Sequence, residues 1–307
     1  MKDLESPLKI AVVIATRNRF NMLSERSLPS VSMQTHPADF LVVVDDSGPE
    51  VRATNADLVE SLALPGCETS YLENERTMGA SGAWNTALDF LVGMVGDPSR
   101  VFIAFLDDDD SWSPKYLESC YAAVCEGPLD MVAPDLRRFE SVDGQPLISE
   151  GPSELRGEDF LTGNPGIQAS NLFVRLSVLL AAGGFDEALR SSTDRDLCIR
   201  IADLGWVRYG RFPVALVDHF ADPNRSRLSA RGSQAKVDGL AAFWRKYVGR
   251  MTPDQRAAFS DRAKKLFDWS PPSKATVTFS HTDAPQKALI LGLVVDNAHP
   301  ENLMHVV

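Results

Sequence analysis

The chain has 307 residues, of which 44% are hydrophobic and 24% charged, the usage of an ordinary soluble folded protein. Acidic residues outnumber basic ones by 42 to 31, giving a formal net charge of −11, which argues against a protein that coats nucleic acid or an anionic membrane. The length allows one large domain or two medium ones, with a core that needs no disulfide or metal support.

Cysteine usage and the lack of long apolar runs predict the compartment. The four cysteines form no CxxC pair and have no histidine at zinc-finger spacing, so we expect free thiols in a reducing environment. The first ten residues do not read as a signal peptide, and no apolar run approaches the roughly 20 residues that a bilayer crossing needs. We therefore expect a cytoplasmic protein without a transmembrane segment.

In the first half of the chain, short apolar runs alternate with longer amphipathic segments. The predicted strands cover 8–15, 40–44, 68–72 and 101–106, and the predicted helices cover 20–34, 51–62, 79–95 and a segment starting at Ser113 and Pro114. Pro29 is expected to kink or divide the first of these helices. The alternation predicts an α/β fold with a mainly parallel sheet flanked by helices and joined by right-handed crossovers.

The pattern changes beyond residue 130. It predicts a strand and turn at 130–150, a loop at 151–167, a strand at 169–176 and helices at 193–204, 233–249 and 253–267. Thr193 is the predicted N-cap of the first of these helices. A proline linker at 270–273 precedes an apolar run at 287–295, which either begins a further domain or adds an edge strand.

Four consecutive aspartates, Asp107 to Asp110, directly follow the buried strand at 101–106. Open α/β sheets bind ligands at the carboxyl ends of their strands. Adjacent carboxylates repel one another unless solvent, donors or a cation offsets them, and Mg²⁺ prefers carboxylate and phosphate oxygens. The placement favours a site for a metal ion and a diphosphate over a solvated acidic loop that caps the next helix.

Two further strand exits carry polar residues. Asp45 and Asp46 end the strand at 40–44, where a carboxylate can accept hydrogen bonds from a nucleobase or a ribose, although such a pair also suits a turn. The first strand ends in Ala15, Thr16, Arg17, Asn18 and Arg19. Small residues there let a ligand approach the backbone, and Arg17 or Arg19 is suited to phosphate; a helix-capping loop is the alternative.

Taken together, these segments make the chain resemble a family 2 glycosyltransferase of the GT-A fold. The resemblance rests on six segments in order: VVIATRNR, FLVVVDDS, GASGAWNTAL, FLDDDDSWSP, ASNLFVRLSVLLAAGGFDEAL and TDRDLCIRIADLGW. They cover about residues 8–230. The resemblance implies a catalytic domain at 1–230, followed by a helical extension at 231–269 and by the linker and strand at 270–307.

The resemblance also implies roles for residues of the donor site. Asp46, with Asp45 beside it, would contact the base, and Asp108 would lie near the ribose. Asp109 would be the main metal ligand, although the frames Asp107–Asp109 and Asp108–Asp110 both fit the metal-binding motif. The other donor-site positions that we carry over are Ala15, Thr16, Arg17, Asn18, Arg76, Gly79, Asn85 and Asp107, the last also as a metal ligand.

The family's general base lies in an acidic pair that opens a helix, which matches Thr193 to Asp196 here. Thr193 stands where the family usually has a glutamate, so Asp194 becomes the candidate base, with Asp196 as the alternative. The helix N-terminus lowers a carboxylate pKa and weakens a base, so burial or a neighbouring carboxylate must offset it. Later in the chain, His219 is a candidate metal ligand, and Arg225 and Arg227 are candidates for neutralising the diphosphate.

The implied reaction is metal-dependent, inverting transfer of a hexose from a nucleotide-diphosphate-sugar to an acceptor hydroxyl. The cation would be Mn²⁺ or Mg²⁺, and the acceptor a saccharide, a lipid-linked or a small molecule. Two alternatives stay open, a nucleotidyltransferase of related fold and a non-catalytic GT-A-like binding module. Residues 231–307 are assigned either to packing on the catalytic domain or to a homodimer contact.

Overall fold

The computed structural model describes residues 7–141, 144–221 and 233–272. Its first half alternates strands and helices, as the sequence predicts. The strands are β1 (Lys9–Thr16), β2 (Phe40–Asp45), β3 (Glu68–Glu73), β4 (Val101–Asp107) and β5 (Ser111–Trp112). The helices are α1 (Phe20–Met22), α2 (Leu28–Ser32), α3 (Pro49–Glu60), α4 (Ala80–Met94) and α5 (Tyr116–Glu126).

The second half contains two long strands, two short ones and further helices. The strands are β6 (Met131–Phe139), β7 (Leu147–Ser149), β8 (Phe173–Arg175) and β9 (Tyr209–Phe220). The helices are α6 (Asp159–Thr162), α7 (Leu176–Ala181), α8 (Thr193–Asp203), α9 (Gln234–Tyr247) and α10 (Pro253–Phe267). None of the described helices is both long enough and apolar enough to traverse a bilayer.

Within the described residues, the nine strands join one sheet in the order β3-β2-β1-β4-β8-β6-β9-β5, with β7 paired to β6. The strands β3, β2, β1 and β4 are parallel, as the strand–helix alternation predicts. Strand β8 then runs antiparallel to both β4 and β6, whereas β6 and β9 are parallel. The α/β class is confirmed, and the complete sheet is mixed because the later strands enter in both directions.

Side chains alternate between two buried layers on either face of the sheet. On one face, Val13 of β1 and Phe105 of β4 pack with α4, α7, α8, α9 and α10. On the other face, Ile14 and Leu106 pack with α5 and with the helical segment 20–32. Both faces of the parallel strands are covered, which explains their nearly continuous apolar sequences.

Three local predictions need correction. Residues 209–220 form β9, which the sequence analysis did not predict because Pro213 interrupts the run; the β6–β9 register shifts just beyond Pro213, at a bulge. The predicted loop at 151–167 contains α6. Ser192, in a left-handed conformation, is the N-cap of α8 in place of Thr193. The predicted strand at 287–295 lies outside the described residues.

Candidate active site

The candidate site lies where β1, β2 and β4 end side by side. In the parallel register, Thr16 is paired with Asp45, and Ala15 with Asp107. The strand ends therefore bring the three polar segments of the sequence analysis to one edge of the sheet, as the strand-end rule predicts.

Asp108 is buried and accepts hydrogen bonds from the last residue of β1 and from the loop that follows it. Thr16 Oγ1 donates to its Oδ2 at 2.9 Å, and the Arg19 guanidinium donates to its Oδ1 at 2.9 Å. Arg19 also lies 3.2 Å from Asp109 Oδ2, and Arg26 donates to the Asp109 carbonyl at 2.8 Å. Burial raises the pKa of Asp108 to about 6, although Arg19 opposes the shift. Arg19 and Arg26 therefore lie next to the acidic run, and their positive charges offset part of its negative charge.

Asp110 is a structural carboxylate with no exposed surface. Its Oδ2 accepts from Ser170 Oγ at 2.6 Å and lies 3.0 Å from His219 Nδ1, and its Oδ1 accepts from the Phe220 amide at 3.1 Å. Burial alone would raise the pKa of Asp110, but His219 and these donors hold it below its ordinary value. Asp110 therefore joins the end of β4 to β9 and to the turn at 169–171.

Asp107, by contrast, is partly exposed at the edge. Its backbone amide donates to Ser170 Oγ at 3.1 Å. Its pKa is raised well above the ordinary value by burial and by neighbouring carboxylates, which in order of influence belong to Asp110, Asp109, Asp108 and Asp194. The carboxylate of Asp194 on α8 thus acts on the acidic run on β4, although the two are far apart in sequence.

The two aspartates that end β2 have different surroundings. Asp45 is buried and accepts hydrogen bonds from the Ser47 amide at 2.7 Å, Asn55 Nδ2 at 2.6 Å and the Tyr71 hydroxyl at 2.9 Å. These donors occupy its carboxylate and give it a structural role within the β2–α3 turn.

Asp46 faces the start of α4. It accepts from Asn74 Nδ2 and from the Gly79 amide, both at 2.9 Å, and Arg17 Nε lies 3.8 Å away. The Arg17 side chain is 44% exposed and so remains open to a ligand. Asp46 therefore connects the exits of β1 and β2 to the loop before α4.

Two hydrogen bonds join the loop after β1 to the loop after β2. The Asn18 amide donates to Ser47 Oγ at 2.6 Å, and Asn18 Oδ1 accepts from the Gly48 amide at 3.3 Å. Asn18 has a positive φ of 53°, a conformation that asparagine tolerates better than most residues. Ala15, the small residue before Thr16, lies between β2 and β4.

Arg76 and Asn85 belong to a polar network around Glu187. Arg76 donates to Glu187 and to Asp89, both at 2.6 Å, while Asn85 Nδ2 donates to Glu187 at 2.8 Å and to the Phe185 carbonyl at 2.9 Å. Despite partial burial, these donors lower the pKa of Glu187 to about 2. The network connects α4 to the segment before α8, so in this arrangement both side chains are engaged within the protein.

Asp194, in the first turn of α8, is held by Asn164. Asn164 Nδ2 donates to Asp194 Oδ2 at 2.9 Å, while Asn164 Oδ1 accepts from the amides of Gly166 and Ile167, both at 2.9 Å. Burial raises the pKa of Asp194 above its ordinary value, and the charge of Lys236 is the largest opposing influence. Burial thus offsets the effect of the helix N-terminus, as a general base requires.

The Asp196 side chain contacts a different set of residues from that of Asp194. It is fully buried and bound by Arg200 at 2.8 Å, Lys246 at 2.6 Å and the Tyr247 hydroxyl at 2.7 Å. Residues two apart on a helix do not face the same side, which is why the two aspartates separate. Asp196 fastens α8 to α9, and the geometry leaves Asp194 as the candidate base of the pair.

His219 lies near the end of β9, buried against Asp110. Its Nε2 makes no hydrogen bond to any residue that the structure describes. A carboxylate bound to one ring nitrogen, with the other directed elsewhere, is typical of metal-binding histidines. Within residues 7–141, 144–221 and 233–272, no three potential ligands are already grouped as a metal site. Arg225 and Arg227 lie outside the described residues.

Comparison with protein families decides the family. The model of glycosyl transferase family 2 matches residues 11–175, more than half of the chain. The chain belongs to glycosyltransferase family 2.

Curated relatives of this family 2 chain agree with that assignment. The pre-mycofactocin glycosyltransferase of Mycobacterium tuberculosis is 26% identical over 220 residues, which are 68% of this chain and 42% of that protein. The succinoglycan biosynthesis protein ExoW of Rhizobium meliloti is 33% identical over 116 residues, 38% of this chain and 34% of that protein. The chain therefore spans less than half the length of these relatives.

Solved structures confirm the GT-A type of fold. TarS of S. aureus in complex with UDP-GlcNAc has a TM-score of 0.57 at 20% identity, covering 86% of this chain and 74% of that one. The mannosyltransferase PcManGT of Pyrobaculum calidifontis, in complex with GDP-Man and Mn²⁺, has a TM-score of 0.57 at 17% identity, covering 85% and 70%.

Several residues of the site were not singled out from the sequence of this family 2 chain. Asn164 carried only the general signal of its place in the predicted loop at 151–167. Ser170, which bonds both Asp110 and the Asp107 amide, and Glu187, which binds Arg76, lie far along the chain from their partners. Arg19 was predicted as a cation suited to phosphate, whereas the structure pairs it with Asp108 and Asp109 of the acidic run.

Proposed function

We propose that this family 2 chain transfers a hexose from a nucleotide-diphosphate-sugar to an acceptor hydroxyl, in a divalent-cation-dependent reaction that inverts the anomeric centre. The observation that carries the proposal is that the Asp194 carboxylate lies close enough to Asp107 of the acidic run to raise the pKa of that residue. A candidate base is therefore a neighbour of a candidate diphosphate site, as direct displacement requires.

The donor nucleotide is assigned to the exits of β1 and β2. Asp46 and Arg17 lie at these exits. Asp108 accepts one hydrogen bond on each carboxylate oxygen, from Thr16 and from Arg19, and the remaining acceptor capacity of these oxygens suits ribose hydroxyls. Asp45 supports the turn beneath them. The structural neighbours were solved in complex with UDP-GlcNAc and with GDP-Man, so donor binding at this fold has precedent.

The residues present suit a divalent cation. Carboxylates crowd around Asp107 and raise its pKa, and a cation would offset that repulsion. Asp107 and Asp109 would hold it, with His219 as a further ligand through Nε2. This favours the Asp107–Asp109 frame, since the Asp110 carboxylate is already occupied by internal donors. A cation bound there would stabilise negative charge on the departing diphosphate.

Asp194 is the proposed general base. Asn164 holds Oδ2, so Oδ1 is the oxygen assigned to take the proton from the acceptor hydroxyl. The base and the leaving diphosphate act on opposite sides of the sugar, which gives inversion. Asp196 contributes by fixing α8 against α9.

The remaining assignments are also proposals. The catalytic domain spans 1–230, with a helical extension at 231–269 and a linker and strand at 270–307. The four cysteines are free thiols, which supports the cytoplasm as the location. The acceptor is a saccharide, a lipid-linked or a small molecule, and a homodimer is the proposed assembly.

The test is a screen for donor binding and hydrolysis. UDP-, GDP- and dTDP-sugars are incubated with the protein, with and without Mn²⁺ or Mg²⁺, while release of nucleoside diphosphate and thermal stabilisation are recorded. We expect one nucleotide class to stabilise the protein in a metal-dependent manner.

A matched pair of variants locates the site. Asp109→Asn is expected to abolish the metal-dependent response, whereas Asp57→Asn, an exposed aspartate on α3, retains it. If no donor acts on the wild type under any condition, a non-catalytic binding module replaces the transferase as the interpretation. Hydrolysis that yields a nucleoside monophosphate would instead point to attack at phosphorus.

A further inference from the structure

Three cations from three helices lie near the segment that holds the candidate base. Arg195 on α8, Lys236 on α9 and Arg262 on α10 influence one another electrostatically. Arg195 is accounted for within the fold, because it is buried, donates to the carbonyls of Phe160 and Leu161, and stacks on the Phe243 ring at 4.1 Å. The cationic groups of the other two donate no hydrogen bond to a described residue.

Arg262 lies next to the residue that holds the base. Its guanidinium covers the backbone of Gly163 so closely that a Cβ there would be 3.3 Å from Nε. The following residue, Asn164, donates to Asp194 Oδ2. The Arg262 side chain is exposed and makes no hydrogen bond or ion pair with any of the described residues.

Lys236 approaches from the first turn of α9. Its ammonium lies 4.4 Å from the centre of the Phe267 ring, and Asp194 is the acid that acts on it. Burial and the neighbouring arginines lower the pKa of Lys236 to about 8. Its ammonium donates no hydrogen bond to a described residue.

Several other cations on or just beyond these helices are paired with acids. Lys246 lies 2.5 Å from Asp186, Arg250 lies 2.6 Å from Asp203, and Lys264 lies 2.6 Å from Asp268. The acid that acts on Lys236 is instead Asp194, and Arg262 lies against Gly163, next to the Asn164 that binds Asp194. Helices α9 and α10 therefore bring positive charge near the base, whereas β4 brings the acidic run.

We propose that Arg262 and Lys236 form an anion-binding subsite that recognises a phosphate or carboxylate group on the acceptor. This inference rests on the proposed function, since the acceptor hydroxyl must reach Asp194. The donor diphosphate belongs with the acidic run after β4, whereas these two cations come from α9 and α10. A guanidinium beside an ammonium suits an oxyanion through charge-assisted hydrogen bonds.

Direct binding tests the subsite without requiring turnover. Glucose, glucose 6-phosphate and glucuronic acid are titrated into the full chain by calorimetry, with EDTA present so that no divalent cation recruits the anion. We expect both anionic sugars to bind, and the stronger of the two to name the group. Arg262→Gln and Lys236→Gln should each weaken that binding by about fivefold or more, the loss of one charge-assisted hydrogen bond.

The matched control is Lys265→Gln, an exposed lysine on the same helix as Arg262, which should bind the anionic sugars as the wild type does. The subsite is refuted if neutral and anionic sugars behave alike, if none binds, or if Arg262→Gln binds as the wild type does. Donor hydrolysis, measured separately on the wild type, reports on the proposed function, so that the two failures are distinguishable.

Discussion

Asp194 and Asp196 illustrate how a single residue's neighbours decide its chemistry. Asp194 faces Asn164 and the acidic run, and burial raises its pKa. Asp196 faces α9 and is bound by two cations and a tyrosine. The sequence presents both as acids at one helix start, but only the packing of α8 separates a candidate base from a structural carboxylate.

We expect Asp196→Asn to lower the free energy of unfolding by about 3–5 kcal/mol, because Arg200 and Lys246 would lose their buried counter-charge. Chemical denaturation at neutral pH measures the change. Asp203→Asn is the matched control on the same helix, since its pair with Arg250 is exposed and should contribute no more than about 1 kcal/mol. Equal losses in the two variants would contradict the structural role of Asp196.

The acidic run shows how far the sequence predicts individual residues. Its place at a sheet edge follows from the buried strand before it, and the structure agrees. The sequence does not predict which of these aspartates accepts hydrogen bonds from within the protein. The partners of Asp110 are Ser170 and His219, which lie far along the chain. The same holds for Asp45, which Tyr71 of the neighbouring strand helps to occupy.

At the scale of elements, the start of α4 depends on a close backbone turn. Gly79, with φ of 121°, donates its amide to Asp46. A Cβ on Gly82 would lie 1.9 Å from the Thr77 carbonyl oxygen, a distance that no relaxed structure permits. The turn at 77–82 therefore requires glycine to bring the first turn of α4 to the candidate donor site.

We expect Gly82→Ala to lower the free energy of unfolding by about 1–3 kcal/mol and to weaken nucleotide binding, because the backbone must move to admit the methyl group. Gly93→Ala in the same helix is the control: a methyl group there would have no heavy atom within 4 Å, and alanine should raise stability by up to about 1 kcal/mol. Thermal unfolding compares the two. If Gly82→Ala were as stable as Gly93→Ala, the turn would not require glycine at position 82.

Elements with strong periodicity were predictable, and those set by distant pairing were not. The strands β1, β2 and β4 and the helices α4 and α10 match their sequence patterns closely. Strand β9 escaped prediction because its proline and its half-exposed faces obscure the alternation, while its pairing with β6 and β5 fixes it in the sheet. Pro29 lies in the first turn of α2, directly after a π-helical turn at Leu23–Ser27, so the helical segment is divided there, as the proline predicts.

At the scale of the whole molecule, the helices α9 and α10 share one core with the sheet. Phe243, Trp244 and Phe259 pack in the same buried layer as Val13 and Phe105. Helices α9 and α10, which the sequence marks only by helical periodicity, therefore belong to the same core as α8, the helix that carries the candidate base. Helical periodicity alone offers no means to choose between this packing and a homodimer contact.

We expect Phe243→Ala to lower the free energy of unfolding by about 3–5 kcal/mol in a single cooperative transition, because the cavity lies in the shared core. Leu147→Ala, at a leucine that is 59% exposed, should change it by less than about 0.5 kcal/mol. Urea unfolding followed by both fluorescence and circular dichroism supplies the data. Two separate transitions, with only one shifted, would instead indicate an independent helical unit.

The role of Asp194 as the base is tested by comparing Asp194→Asn with the wild type on the donor that the screen selects, with Mn²⁺ present. Nucleotide affinity and donor turnover are measured on the same samples. We expect an affinity within about threefold of the wild type and turnover reduced by about 10²–10⁴-fold, because only proton removal is lost. Undiminished turnover in Asp194→Asn would contradict the assignment of the base, and failure of the wild type to bind any nucleotide would contradict the donor site itself.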